Sequence, residues 1–252
     1  MKYRSMDMFI KCPKTLHIEE VVSSDICLLS LAREAKAGDK LHMIVEEKMD
    51  GSQVGISFGN SGELKIQSRG AYVSSEPEFS LLKQWAWQHY AALFSCLSNR
   101  YILFGEWLFA KHTMYYDLLP DYFMEFDIFD RRKGVFLSTN SRQEILKETE
   151  FISSVRVIGR YLKPTLRMLK DLIGASAFIS ERKVNQLKGS ELRETDITGL
   201  MEGLYLKVEN DAAVLGRYKL IRPEFIEKIV TSGSHWKSRD VKVNQLKPVE
   251  SN

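Results

Sequence analysis

The chain has 252 residues, 44% hydrophobic and 27% charged, with a formal charge of +3 at pH 7. That length can bury a full core in one large domain or two small ones, and the composition is globular rather than fibrous or disordered. A charge of +3 is too small to establish a nucleic-acid partner. No apolar run is long enough to span a membrane and residues 1–9 lack a signal-peptide hydrophobic region, so no membrane and a cytoplasmic location are expected.

Cys12, Cys27 and Cys96 are isolated and odd in number, which argues against a disulfide framework or a zinc site. In residues 1–40, Pro13 and the Ala37-Gly38-Asp39 turn bracket a segment, 18–37, that is expected to be partly helical. Lys14, Thr15 and His17 precede the first strong strand and read, on pattern alone, as a solvated loop.

Residues 41–45 are apolar and rich in strand formers, and 53–58 resume an alternating strand pattern. Between them lies Glu46-Glu47-Lys48-Met49-Asp50-Gly51, which places Lys48 at a strand end or tight bend. A lysine becomes a nucleophile when desolvation or a neighbouring cation lowers its pKa. Its acidic neighbours push the other way, so a reactive Lys48 needs cations from elsewhere in the chain. Gly59-Asn60-Ser61-Gly62 is a turn signal between 54–58 and 64–66. That hairpin would bring Arg69 back towards Lys48.

Residues 78–97 carry the clearest helical period, with Phe79, Leu82, Trp85, Ala86, Tyr90, Leu93, Phe94 and Leu97 at three- and four-residue steps. For Trp85 and Trp87 a packed helix face is the better reading than base stacking. Residues 101–109 read as a strand whose apolar run is interrupted by Glu106, which is costly to bury unless paired or hydrogen-bonded. Residues 122–130 alternate aromatic and acidic groups, consistent with a strand having one apolar face.

Farther on, Arg131-Arg132-Lys133-Gly134 is a basic turn, 141–151 a helix with Ser141 at its N-cap and Glu144 three residues in, and Pro164 the opening of another helix. Arg182, Lys183, Lys188 and Arg193 fit a solvated surface or, if one-sided, a phosphate-backbone track. Residues 202–209 and 214–222 read as two antiparallel strands, the first opening with Glu202 and the second carrying Arg217, Lys219 and Arg222. A helix is expected from Pro223. Residues 231–252 are polar and basic without periodicity and are expected to be a flexible tail behind a domain spanning 1–230.

In order, these fragments resemble the covalent nucleotidyltransferases, the ATP-dependent ligases and messenger-RNA capping enzymes. Lys48-Met49-Asp50-Gly51 looks like the nucleophile motif, and Ser68-Arg69-Gly70 and Phe104-Gly105-Glu106 are similar to the next two elements. Phe126-Asp127 resembles the adenine-stacking element, Glu202-Gly203 the fourth motif, and Arg217-Tyr218-Lys219 the last lysine motif. Pro13-Lys14-Thr15-Leu16-His17, the run from Gly105 to Thr113 followed by Tyr116-Asp117-Leu118-Leu119-Pro120, and the lack of a recognisable OB-fold look like the RNA ligase branch. The chain departs from that pattern in having Arg217 where a lysine is usual. Arginine keeps the charge and grips phosphate bidentately.

The resemblance implies an α+β nucleotidyltransferase (ATP-grasp-like ligase) domain with antiparallel sheets flanked by helices. It implies an ATP-dependent RNA ligase using Mg²⁺, with Mn²⁺ as an alternative. Lys48 would form a lysyl-AMP, pass the adenylate to a 5′-phosphate, and a 3′-hydroxyl would displace AMP. Arg217 and Lys219 would lie on the α-phosphate and keep Lys48 unprotonated. Arg69 would hold ribose, phosphate or the 5′-end, Glu106 a ribose hydroxyl, and Phe126 the adenine, whose edge the backbone around Glu46 and Glu47 would read. Glu202 would bind the metal, while Asp50 would support the bend and the metal. Asp127, Gln53 and His112 fit structural and functional roles equally.

The implied partner is RNA with 5′-phosphate and 3′-hydroxyl ends, single-stranded or nicked duplex, prepared by a separate kinase or phosphatase where ends need repair. Two other readings remain: a small DNA ligase without its OB domain, and a non-catalytic nucleotide- or RNA-binding subunit of a repair complex.

Overall fold

The computed structural model describes residues 9–22, 28–32, 35–180 and 187–248. Cys27, Arg182 and Lys183, and the ends of the chain, lie outside them. The frame is two sheets. In the first, β1 (Leu16–His17), β11 (Val214–Ile221), β10 (Gly203–Glu209), β2 (His42–Glu47) and β9 (Val157–Tyr161) lie in that order; β1 runs parallel to β11, and the other pairs are antiparallel. In the second, the order is β4 (Leu64–Gln67), β3 (Ser52–Phe58), β5 (Tyr101–Trp107), β6 (Phe123–Asp130) and β7 (Val135–Phe136), with β8 (Ser153–Ser154) beside β6. This is the α+β, antiparallel-sheet class expected. No described helix is long and apolar enough to cross a membrane.

The sheets exchange the chain at Lys48-Met49-Asp50-Gly51, where β2 of the first passes into β3 of the second. The Lys48 N–H donates to the Gly203 carbonyl at 3.0 Å, so the lysine leaves β2 pinned to the start of β10. The two glycines here have steric reasons. A Cβ on Gly51 would meet Leu108 Cδ2 at 2.7 Å and the Trp107 carbonyl at 2.8 Å, and one on Gly203 would meet the Leu220 carbonyl at 2.0 Å. Both clash with backbone that cannot give way cheaply.

The outer face of the second sheet carries Val54, Ile56, Phe58 and Leu103 against Leu82, Ala86, Leu93 and Leu97. The helix expected over 78–97 is two, α2 (Ser80–Gln88) and α3 (Tyr90–Leu97). They part at His89, which leaves helical backbone and lays its ring on Phe151, with centroids 4.2 Å apart. Trp85 packs on Phe123 and Phe151, as the packed-face reading expects, whereas Trp87 is 62% exposed and stacks on Tyr90. The first sheet is covered by α1 (Ile18–Val21) and α5 (Leu166–Asp171), with Ile18, Val22 and Leu169 on Met43, Val45 and Leu206.

Three expectations differ from the structure. β6 does not have one solvated face: Glu125 and Asp127 are fully buried because cations meet them there. The helix α4 (Thr139–Leu146) begins earlier than its pattern suggests, since Ser138 rather than Ser141 is the cap, its side chain accepting the Ser141 N–H. Residues 232–248 are not a free tail. They run back over the loop between β5 and β6, where Asn244 is fully buried and the backbone bonds to Phe109, Lys111, Tyr116 and Leu119. An apolar period was not needed because the attachment is made by hydrogen bonds.

Candidate nucleotide-binding site

A cleft between the two sheets gathers side chains from both. Lys48 stands at the crossing, Glu106 comes from β5, Glu202 immediately precedes β10, Lys219 comes from β11, and Arg69 follows β4. Lys48 Nζ lies 2.9 Å from Glu202 Oε1 and 3.1 Å from Oε2. Arg69 returns beside Lys48 as the hairpin implied, its Nε donating to Gln53 Oε1 at 3.4 Å.

Phe126 also lines the cleft, and a bulge explains how it can. Phe104 pairs with Asp127 and Gly105 with Glu125, which leaves Phe126 without a partner in the ladder. Bulges re-aim side chains at functional sites, and here the freed ring meets Tyr205 edge-on at 5.7 Å. As their pattern implied, Lys14 and Thr15 lie in a loop with Lys14 exposed, yet Pro13, Lys14 and Thr15 also line the cleft. The reason is β1, whose Leu16 and His17 pair with Tyr218 and Lys219 and so draw the preceding residues to the cavity.

The lining holds four cations, Lys14, Lys48, Arg69 and Lys219, against three carboxylates, Glu47, Glu106 and Glu202. Burial pushes Glu106 up to about 7, with Lys48 pulling against it and Glu202 adding to it. Burial likewise pushes Glu202 up to about 7, opposed by Lys48. For Lys48, burial alone would lower the ammonium, but Glu202 and Glu106 outweigh it and the pKa rises. Lys219 is lowered by burial and by the Lys48 charge. Glu202 and Glu106 thus favour the charged form of Lys48 despite the neighbouring cations, contrary to expectation. The carboxylates that hold its proton are chiefly Glu202 and Glu106, with the neighbouring Asp50 adding to them.

Glu46 and Glu47 are occupied otherwise. Glu47 lines the cleft while its carboxylate accepts from the Ser176 hydroxyl at 2.5 Å and the Ala177 N–H at 3.3 Å. Glu46 points away into a sealed ion network, 2.8 Å from Arg142 and 2.9 Å from Lys207. That network continues from Lys207 to Asp127 at 3.1 Å, from Arg217 to Asp127 at 3.4 Å, and from Arg142 to Glu125 at 3.4 Å. Arg142 and Lys207 both donate to the Phe126 carbonyl, so the network grips the bulge from behind. For Asp127, burial would raise the carboxyl, but Lys207 and Arg217 hold it below its ordinary value.

Arg217 accordingly does not reach the cavity lining. Its guanidinium sits 3.6 Å over the Phe136 ring and pairs with Asp127. Asp50 does not line the cavity either. Its Oδ2 accepts the N–H groups of Thr113 at 2.7 Å and Met114 at 2.8 Å, and its own N–H donates to the Tyr116 hydroxyl at 2.9 Å. His112 stands 3.8 Å from Asp50 Oδ1, stacked on Trp236 at 3.7 Å, and burial lowers it to about 4.

Arg142, Lys207 and Tyr205 were not singled out from sequence. The alternation of Gly203, Tyr205 and Lys207 on one strand face was the available signal for two of them. Arg142 lies on a helix and had none. Cys12 and Cys96 are free thiols, raised by burial to about 12 and about 11, which leaves both unreactive near neutrality.

The fold is shared with solved structures of an RNA ligase from Naegleria gruberi. A variant with ATP and Mn superposes with a TM-score of 0.55 at 16% identity, a variant with AMP and Mn with 0.57 at 16%, and the ligase with PPi with 0.55 at 17%. Each match covers 87% of this chain and 58% of the other. The chain thus spans little more than half the length of those structures. No curated protein matches it. Two sheets joined at a crossing lysine make the fold that the chain shares with those ligase structures. The model of the RNA ligase family matches residues 41–221, most of the sequence. The chain belongs to the RNA ligase family.

Proposed function

We propose that the protein is an ATP-dependent RNA ligase working through a lysyl-AMP on Lys48. The observation that carries this reading is the Lys48 amine in a cleft where four cations stand against three carboxylates, two of them shifted to about 7. Such a cleft attracts a polyanion and is poised to change the charge on its lysine. Lys48 Nζ would attack the α-phosphorus of ATP, forming a P–N bond and releasing pyrophosphate. A 5′-phosphate oxygen would then take the adenylate and free the amine. A 3′-hydroxyl would displace AMP to make the phosphodiester. Phosphoryl transfer asks mainly for positioning and charge neutralisation.

Lys48 must lose its proton first. Its pKa is held up by Glu202 and Glu106, so drawing Glu202 away removes the strongest support of the charged form, while burial favours the neutral amine. Lys219, with its lowered pKa and no salt-bridge partner among the described residues, would meet phosphate. Arg69 and Lys14 would serve the phosphates or the 5′-end, Glu106 a ribose hydroxyl, and Phe126 the adenine face. Arg217 acts on the site only through Asp127 and the bulge.

Magnesium takes one or two carboxylates and completes its shell with phosphate oxygens and water. Among the described residues no cluster of three potential metal ligands exists, so Glu202, with Glu106 beside it, fits a metal carried largely by the nucleotide. Mg²⁺, or Mn²⁺ in its place, would supply charge neutralisation on the phosphates. Asp50, with its Oδ2 taken by two backbone N–H groups, braces the bend.

Incubation with α-labelled ATP and Mg²⁺ tests the reading. Wild type should take up covalent label and Lys48→Ala none; absence of label on wild type, or its persistence in Lys48→Ala, overturns the mechanism. Sealing of a nick with RNA on the 3′-hydroxyl side should exceed sealing of an all-DNA nick, and equal rates would reject the RNA preference.

A further inference from the structure

The turn that carries Lys48 is not rigid by its own bonds. Lys48 itself is pinned to Gly203, and the rest of the turn is braced by the loop between β5 and β6: Thr113 and Met114 hold the Asp50 carboxylate, and the Tyr116 hydroxyl accepts the Asp50 N–H. That loop is irregular; Phe178, Ser180 and Asp196 hold its 113–118 part, and residues 232–248 hold it from Leu108 to Tyr122. Asn244 is fully buried and satisfied on every polar atom. Its Oδ1 accepts the Tyr116 N–H at 2.9 Å and its Nδ2 donates to the Leu108 carbonyl at 2.7 Å. Its N–H donates to the Phe109 carbonyl at 2.9 Å, and its carbonyl accepts the Tyr122 hydroxyl at 3.0 Å. Upstream, Trp236 stacks on His112, and Arg239 donates to the His112 carbonyl at 3.1 Å.

The connection is therefore short and covalently local: Asn244 holds Tyr116, Tyr116 holds Asp50, and Asp50 is two residues from Lys48. A leucine-sized hydrophobe at 244 could bury as well but could not fix the loop's backbone, because an asparagine presents donor and acceptor together. The buried side-chain amide is also costly to lose, since its two partners, the Tyr116 N–H and the Leu108 carbonyl, are left unsatisfied.

We infer that Asn244 is a positioning residue for Lys48, and that the segment 236–246 completes the nucleotidyl-transfer site by locking the loop that braces the nucleophile turn. The catalytic half of this rests on the function proposed above; the structural half does not. Adenine and ribose are met by other elements, Phe126 on β6 and Glu106 on β5, so loss of the lock should slow attack by Lys48 and leave nucleotide binding largely alone.

The test uses the full chain and two variants, Asn244→Ala and Tyr116→Phe, the second removing only the hydroxyl that accepts from Asp50. Amide exchange without nucleotide should show the Asp50 N–H exchanging about tenfold faster or more in both, with β3 and β5 protected as in wild type. Pre-steady-state labelling with α-labelled ATP should show the rate constant for adenylate formation down roughly 10- to 100-fold, a scale expected of small misplacements, with the ATP concentration at half-maximal rate changed less than about threefold. The double variant should lose no more than the worse single one. Wild-type exchange at Asp50 in both variants would overturn the inference whatever the labelling shows. Faster exchange in the variants, together with a wild type that takes no label, would instead reject the ligase reading and keep the lock. A rise in half-maximal ATP with an unchanged rate constant would assign Asn244 to binding and refute positioning.

Discussion

Two clusters of charge lie a few residues apart in this protein and behave oppositely. In the sealed network Glu46, Glu125 and Asp127 face Arg142, Lys207 and Arg217, three against three, and all but Arg217 are 1% exposed or less. In the cleft Lys48, Glu106, Glu202, Lys219, Lys14 and Arg69 share one space open to solvent and are not matched one to one. The network's charges satisfy one another, so it is scaffold. The cleft's charges do not: burial pushes Glu106 and Glu202 up to about 7, and the cleft's cations stay available to a ligand. Residue types alone do not separate the two roles; what separates them is whether the partners are already present.

The largest effect should come from breaking the balanced cluster. Arg142→Met leaves Glu46 and Glu125 short of a buried partner, a situation that costs about 3–5 kcal/mol. Denaturant unfolding should show that loss, and a change under about 1 kcal/mol would mean the network is not the scaffold described here. A smaller effect is expected where the network serves the cleft. Phe126→Ala removes the ring that the bulge presents, and base stacking of this kind contributes about 1–3 kcal/mol. ATP affinity, measured by calorimetric titration on the Lys48→Ala background, should fall accordingly; unchanged affinity would remove Phe126 from the adenine site.

The smallest effect is one of slope. Glu106 and Glu202 have folded values near 7, above the ordinary carboxylate value of 4.5. Between those values the folded chain retains protons that the unfolded chain has released, so their contribution to stability falls as pH rises through that window. Asp127 is lowered instead, so its contribution is present above its ordinary value and is lost only as pH falls through its folded one. Glu106→Gln should therefore flatten the decline in unfolding midpoint between about pH 5 and pH 7 and leave the acid limb in place. An unaltered profile would mean that Glu106 is not held protonated by its surroundings.

Much of the fold was legible because it was local. The hairpin of β3 and β4, and the pair β10 and β11, announce themselves by alternation and by turn residues at Gly59-Asn60-Ser61-Gly62 and Asn210-Asp211. The strands β8 and β9 and the break at His89 were not legible. Short edge strands carry too few residues for a period, and the break depends on the distant Phe151. The cleft was partly legible: Lys48, Arg69, Glu106, Phe126, Glu202 and Lys219 all line it. Arg217 and Asp50 share strands and turns with those residues but point to partners of their own.

What the amino-acid sequence determined by itself was the order of the elements and the places where a charged residue interrupts an apolar run. Burying such a residue is costly enough that each interruption marks either a site or a paired charge. Which of the two it marks was decided only by the tertiary structure. Glu46 and Glu106 look alike in sequence, since each follows an apolar strand run. Packing two sheets face to face gave Glu46 two cations and gave Glu106 a shared lysine in an open cleft. The same packing turned a polar, aperiodic C-terminal stretch into a brace for Lys48, because Asn244 finds four partners that no local pattern could supply.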